Sequence, residues 1–192
     1  MPEINGARTD DPYEIPAELQ SAVNKWNLSK NIQQIVDEGY TVLRDDVSVD
    51  LTDSIRGCVL KHVDLDTDAE IQFQTNMLEV DPVFSSAVTH PATLTIVDFL
   101  LGRSAQLSQM AGSVRRAGPN LLGLHADSDW FPAPFPDWEI MATACWVCDD
   151  FTEENGATMV IPGSHVHRCP PPETITQSRE GAMPIDAPKG SI

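Results

Sequence analysis

Leu121-Leu122-Gly123-Leu124-His125-Ala126-Asp127 decides the reading, together with Gly156-Ala157-Thr158-Met159-Val160-Ile161-Pro162-Gly163-Ser164-His165 further along the chain. In the first stretch an apolar segment ends in an imidazole and a carboxylate two residues apart. Side chains alternate along an extended backbone, so positions 125 and 127 face the same side. The pair supplies two legs of a 2-His-1-carboxylate iron site, which leaves one side of the metal open for chemistry. The third leg, a distant histidine, is not obvious in this sequence. A His-x-Asp tripeptide taken alone is more often a structural polar pair at a strand end. The context favours a metal role: Leu121, Leu122 and Leu124 precede the pair, and an aromatic, proline-rich loop follows it (Trp130, Phe131, Phe135, Trp138). Such a loop could cover a pocket. Asp129 is a competing carboxylate. On an extended chain it lies ~13 Å from His125, at ~3.3 Å per residue, too far to share an ion unless the chain turns.

Composition narrows the function class. The chain has 192 residues, 41% of them hydrophobic, enough for one domain with a core. Twelve Lys and Arg stand against 29 Asp and Glu, a net charge of −17. That balance argues against nucleic acid and anionic membranes, because phosphate binding needs clustered cations. A small-molecule substrate remains compatible with it. No apolar run approaches the ~20 residues of a membrane span. Met1 to Pro12 is polar and acidic, without the apolar core of an export signal, so a cytoplasmic location is expected. Free thiols are then the expected state of Cys58, Cys145, Cys148 and Cys169. Oligomeric state is not legible.

Periodicity orders the chain. Residues 1 to about 28, with Pro2, Pro12 and Pro16, read as an irregular leader. Ser29 is placed to cap a helix over Asn31 to Glu38, which Gly39 ends. Tyr40 to Leu43 reads as a short strand. Leu51, Ile55, Val59 and Val63 recur every four residues and predict a helix. Two more helices follow, Pro82 to His90 stopped before Pro91, and Thr93 to Leu101 ended by Gly102. Beyond this the texture changes to extended segments: Gln106 to Arg116, Leu121 to Asp127, Ile140 to Cys148 (apolar on both faces, as a buried strand is) and Thr158 to Ile161. Asp129 to Trp138 and Pro170-Pro171-Pro172 are irregular, and Pro162-Gly163 is a tight turn. Helices first and short strands afterwards predict a helical buttress on a β-sandwich or barrel.

Other residues carry weaker signals. His165 and His167, two apart, form a conceivable second metal pair; the plainer reading makes His165 the end of a turn with supporting hydrogen bonds and leaves His167 solvated. Cys145-x-x-Cys148 lacks a second cysteine pair, and residues three apart on a strand face opposite sides, so both are expected to be buried small apolar residues. Trp146 is either core or in contact with a small dicarboxylate through its ring edge and indole N–H. Arg115 and Arg116 are candidates for an anionic substrate group or a solvated strand edge.

Residues 106 to 192 resemble the phytanoyl-CoA dioxygenase family of iron(II)/2-oxoglutarate oxygenases. The resemblance lies in Leu124-His125-Ala126-Asp127, the Trp130-Phe131-Pro132-Ala133-Pro134-Phe135 loop, Cys145-Trp146 through Asp149-Asp150, and Asn155-Gly156-Ala157-Thr158 running into Pro162-Gly163-Ser164-His165. With Gly39-Tyr40-Thr41-Val42-Leu43 as the early strand, it extends over about residues 30 to 192. It implies a mainly β domain with N-terminal helices, a double-stranded β-helix (jelly roll, cupin-like), here incomplete. The expected layout is a single oxygenase domain over 29–192, with a helical buttress over about 29–105 and a β-sandwich core over about 106–192. It also implies iron(II) ligation by His125 and Asp127, 2-oxoglutarate beside Trp146, and a structural role for the Pro-Gly-Ser-His turn. The expected activity is hydroxylation of an unactivated C–H bond of a small molecule. Halogenating relatives lose the carboxylate that Asp127 retains. The family's distal histidine and its arginine for 2-oxoglutarate have no match in this chain, which stops near Lys189-Gly190-Ser191-Ile192. A fragment of an ordinary oxygenase is therefore expected. The alternatives are an inactive binding or scaffold relative, or a cupin-type metalloenzyme of another class.

Overall fold

The computed structural model describes residues 11–44, 48–63, 70–116 and 122–192. The first ten residues of the expected leader, and Leu121, lie outside the described residues. Within the rest of that leader, Gln20–Lys25 form helix α1 among turns, and Leu19, Val23 and Leu28 are buried. Apolar residues spaced to one side of a single turn are enough to dock it, whatever its flanking prolines suggest.

Helix α2 (Ser29–Glu38) buries Ile32 and sets Ile35 and Val36 beside it, the three- and four-residue spacing of one helical face. Its N-cap is Leu28, with no side-chain cap bond, so Ser29 does not play the expected capping part. Gly39 does end the helix, at φ 80°. Helix α3 (Val49–His62) is capped by Ser48, whose hydroxyl accepts from the Leu51 N–H, and buries Thr52, Ile55, Cys58 and Val59. Helix α4 (Val83–Val88) is short. Pro91 then opens helix α5 (Pro91–Leu101), where a missing N–H costs nothing.

These helices build two apolar clusters. Leu19, Val23, Leu28, Ile32, Leu43, Ala92, Ile96 and Phe99 join α1, α2 and α5. Ile55, Cys58, Val59, Val63, Met77, Phe84 and Ala87 join α3 and α4. Strand β1 (Ile71–Gln74) pairs antiparallel with β2 (Gly112–Arg115), Ile71 opposite Arg115 and Gln74 opposite Gly112. Gly112 lets that sheet approach α3, since a Cβ there would stand 2.7 Å from a Val59 methyl.

The C-terminal half holds strand β3 (Met159–Val160), helix α6 (Glu173–Ser178) and strand β4 (Met183–Pro184). Strands β3 and β4 pair antiparallel. The pairing continues in isolated steps: the Ile185 N–H donates to the Thr158 carbonyl, Phe151 bridges Ala187, and Val147 exchanges bonds with Gly190 and Ser191. Leu43 and Ile192 then exchange both backbone bonds, 2.8 and 3.0 Å, tying this half to the first cluster. The polar face of α3 grips the same region. Arg56 Nε donates to both oxygens of Asp149 at 2.8 and 3.0 Å, and Asp53 pairs with Lys189.

The expected mainly β architecture is not what the described residues form. They are mostly helical, with short strands in two two-stranded sheets and no closed sheet. Tyr40 to Leu43 is no regular strand, although Leu43 pairs with Ile192. Ile140 to Cys148, apolar on both faces, is also not a regular strand; of its residues only Val147 is buried. A strand buried on both faces needs ladder partners along its length, and here backbone pairing reaches it at Val147. Among the described residues no helix is long and apolar enough to cross a membrane.

Candidate metal centre

His125 lies on an irregular segment and Asp127 on the turn that follows it, and the segment is held backbone group by backbone group. Arg179 Nη2 donates to the Leu122 carbonyl at 2.9 Å, and Thr176 Oγ1 to the Leu124 carbonyl at 3.3 Å. Both donors belong to the end of α6 or the residue that follows it. Between them, His125 Nδ1 lies 2.8 Å from the Gly123 carbonyl. A carbonyl can only accept, so Nδ1 carries a hydrogen and Nε2 is the nitrogen that faces Asp127 Oδ1, 3.3 Å away. A proton or a metal ion between Nε2 and Oδ1 fits this approach. The other carboxylate oxygen, Asp127 Oδ2, accepts from Thr143 Oγ1 at 2.6 Å. Both His125 and Asp127 side chains are about half exposed (46% and 49%), so one side of the pair is open.

The chain turns at Asp127 itself, with the Asp129 N–H donating to the Ala126 carbonyl and the Phe131 N–H to the Ser128 carbonyl. The extended-chain distance from His125 therefore does not apply to Asp129. The aromatic loop that follows is anchored from the Pro-Gly-Ser-His side. Arg168 donates to the carbonyls of Pro136 and Asp137, and its own carbonyl accepts from the Phe135 N–H at 2.7 Å. Trp130 and Trp138 remain exposed.

A phytanoyl-CoA dioxygenase family model matches residues 38–192, a span that contains all of these groups. The chain belongs to the phytanoyl-CoA dioxygenase family. It is 34% identical over 89 residues to dioxygenase af480 of Aspergillus fumigatus, a match covering 45% of this chain and 28% of that protein. It is 29% identical over 123 residues to an uncharacterised protein of Mycobacterium bovis, covering 60% of this chain and 43% of the relative; a Mycobacterium tuberculosis protein matches equally. The chain thus spans less than half the length of these curated relatives. No solved structure matches it.

Within this phytanoyl-CoA dioxygenase domain the remaining candidates fall as follows. His165 Nε2 is 3.1 Å from the Val36 carbonyl, and the Gly163 N–H donates to the Glu38 carbonyl at 2.8 Å. The ring thus secures the C-terminus of α2, and His167 is exposed, so the two do not form a second metal pair. Trp146 packs against the second apolar cluster and meets His90 edge-on at 5.5 Å; His90 in turn lies 5.6 Å from Trp26. Cys145 is exposed rather than buried, while burial pushes the half-buried Cys148 thiol up to about 11, helped by the neighbouring Asp149 carboxylate. All four cysteines are free. Arg115 and Arg116 are exposed at the end of β2. Surface clefts of about 310 and 230 Å³ are lined by Tyr13 and Ile32, and by Tyr40 and Arg44, with neither His125 nor Trp146 in their walls.

Sequence reading missed Thr143, Thr176, Arg168 and Arg179. Each acts on a partner at least 16 positions away, and no local spacing announces it.

Proposed function

We propose that this chain carries part of the active site of an iron(II)/2-oxoglutarate-dependent dioxygenase that hydroxylates an unactivated C–H bond of a small molecule. The reading takes the double-stranded β-helix of the family as the fold of the whole protein. The observation that supports it best is the 3.3 Å approach of His125 Nε2 to Asp127 Oδ1. Two donors bound at right angles, each about 2.1 Å from one ion, stand about 3 Å apart. The pair therefore fits two adjacent positions on a ferrous ion. Iron(II) with 2-oxoglutarate and dioxygen supplies the oxidising chemistry when bound. His125 and Asp127 would hold the ion, and their half-exposed side would remain for cosubstrate and substrate. Trp146 is assigned the flank of 2-oxoglutarate, and the Trp130 to Trp138 loop the exclusion of water.

The test is succinate formation from 2-oxoglutarate with iron(II) under air, by the purified protein and its Asp127→Ala variant. Iron-dependent succinate that falls to background in the variant is expected. Background levels in both contradict the proposal. The second reading, a binding or scaffold relative without catalysis, is favoured by one observation. Among the described residues no group of three or more His, Cys, Asp or Glu side chains is placed to hold a metal.

A further inference from the structure

We infer that Thr143 is a positioning residue for the metal-binding carboxylate, fixing which oxygen of Asp127 faces His125. The inference rests on the metal reading above and deepens it. The Thr143 hydroxyl donates to Asp127 Oδ2 at 2.6 Å, and the direction is fixed because a carboxylate can only accept. That length lies in the ~2.5–2.7 Å range of hydroxyl bonds to ionised oxygens, about twice as strong as neutral ones. With Oδ2 engaged, Oδ1 is left toward His125 Nε2, 3.3 Å away. The carboxylate would then offer an ion one oxygen rather than two.

The hydroxyl is delivered from a separately anchored piece of chain. Three residues on, Trp146 is wedged against His90 and the second apolar cluster. Val147 is bonded to Gly190 and Ser191, and is itself buried. His125 and Asp127 take their position from α6, through Thr176 and Arg179. The Thr143–Asp127 bond joins these two supports at the half-exposed carboxylate. A partner of this kind on a ligand typically changes metal affinity by about 10–100-fold.

The experiment is a cobalt(II) titration, read by the visible absorption of the bound ion and by calorimetry. Cobalt(II) binds nitrogen–oxygen sites more tightly than iron(II) does. Wild type, Asp127→Ala, Thr143→Val and Thr143→Ser are compared. Thr143→Val keeps the branched shape and removes the donor, and is expected to weaken binding at least tenfold and alter the spectrum. Thr143→Ser restores the donor and is expected to bind within about threefold of wild type. If Asp127→Ala abolishes binding while Thr143→Val binds like wild type, the positioning role is overturned and the metal reading stands. If Asp127→Ala binds like wild type, the metal reading fails and the role of Thr143 fails with it. If Thr143→Ser is as weak as Thr143→Val, packing rather than the hydroxyl is responsible and the inference is overturned.

Discussion

Gly39 shows how much one residue can carry. Its φ of 80° lies in the left-handed region, where a side chain costs roughly 1–3 kcal/mol. An added Cβ would also stand 2.6 Å from His165 Nδ1. Gly156 has nearly the same backbone, φ 81°, with nothing within 4 Å of the added atom. Gly39→Ala is therefore expected to destabilise by at least about 2 kcal/mol, lowering the thermal midpoint by about 4–8 °C, and Gly156→Ala by about half that or less. Thermal unfolding followed by circular dichroism checks both; equal effects would remove the His165 contact from the account. The same residues show what a sequence discloses. His125 and Asp127 were legible because their relation is local, two positions apart in the sequence, although Asp127 sits in a turn rather than on a strand. Thr143, which holds the carboxylate, was not, because it meets Asp127 only through the fold.

At the scale of elements, helices α2, α3 and α5 were legible where period and punctuation agree, at Gly39, Pro91 and Gly102. Helices α1 and α6 were missed because each has six residues and lies among prolines. The segment 140–148 misled for a different reason: an apolar composition states that a segment is suited to burial, not that ladder partners exist for it. Strand β1 gave no usable signal, since Ile71 and Phe73 are its exposed side and Gln72 and Gln74 its half-buried one. The start of α3 is a sharper case. Ser48 accepts from the Leu51 N–H at 3.2 Å and Asp50 adds negative charge to the first turn. Ser48→Ala is expected to cost about 1 kcal/mol, a fall of about 2–4 °C in the midpoint. An unchanged midpoint would mean the cap contributes nothing.

Over the whole molecule, two apolar clusters are linked by the Trp26–His90–Trp146 contacts and by the pairing of Leu43 with Ile192. Around them lies a strongly acidic chain of net charge −17. Such a charge repels itself in the compact state, and salt at 1 M shortens the screening length to about 3 Å. The thermal midpoint is expected to rise between low salt and 1 M sodium chloride; a fall would place ion pairs such as Arg56–Asp149 above the net repulsion. The acidity also supplies many nonspecific sites for divalent cations, so the account needs a measurement that separates one ion position from a diffuse cloud. Manganese(II) titrated at low substoichiometric ratio into labelled protein, with the ring resonances of the five histidines followed by NMR, does so. The account predicts that His125 broadens first and most, and that Asp127→Ala removes this preference. Broadening of His125 no greater than that of the other histidines, or unaffected by Asp127→Ala, would contradict it.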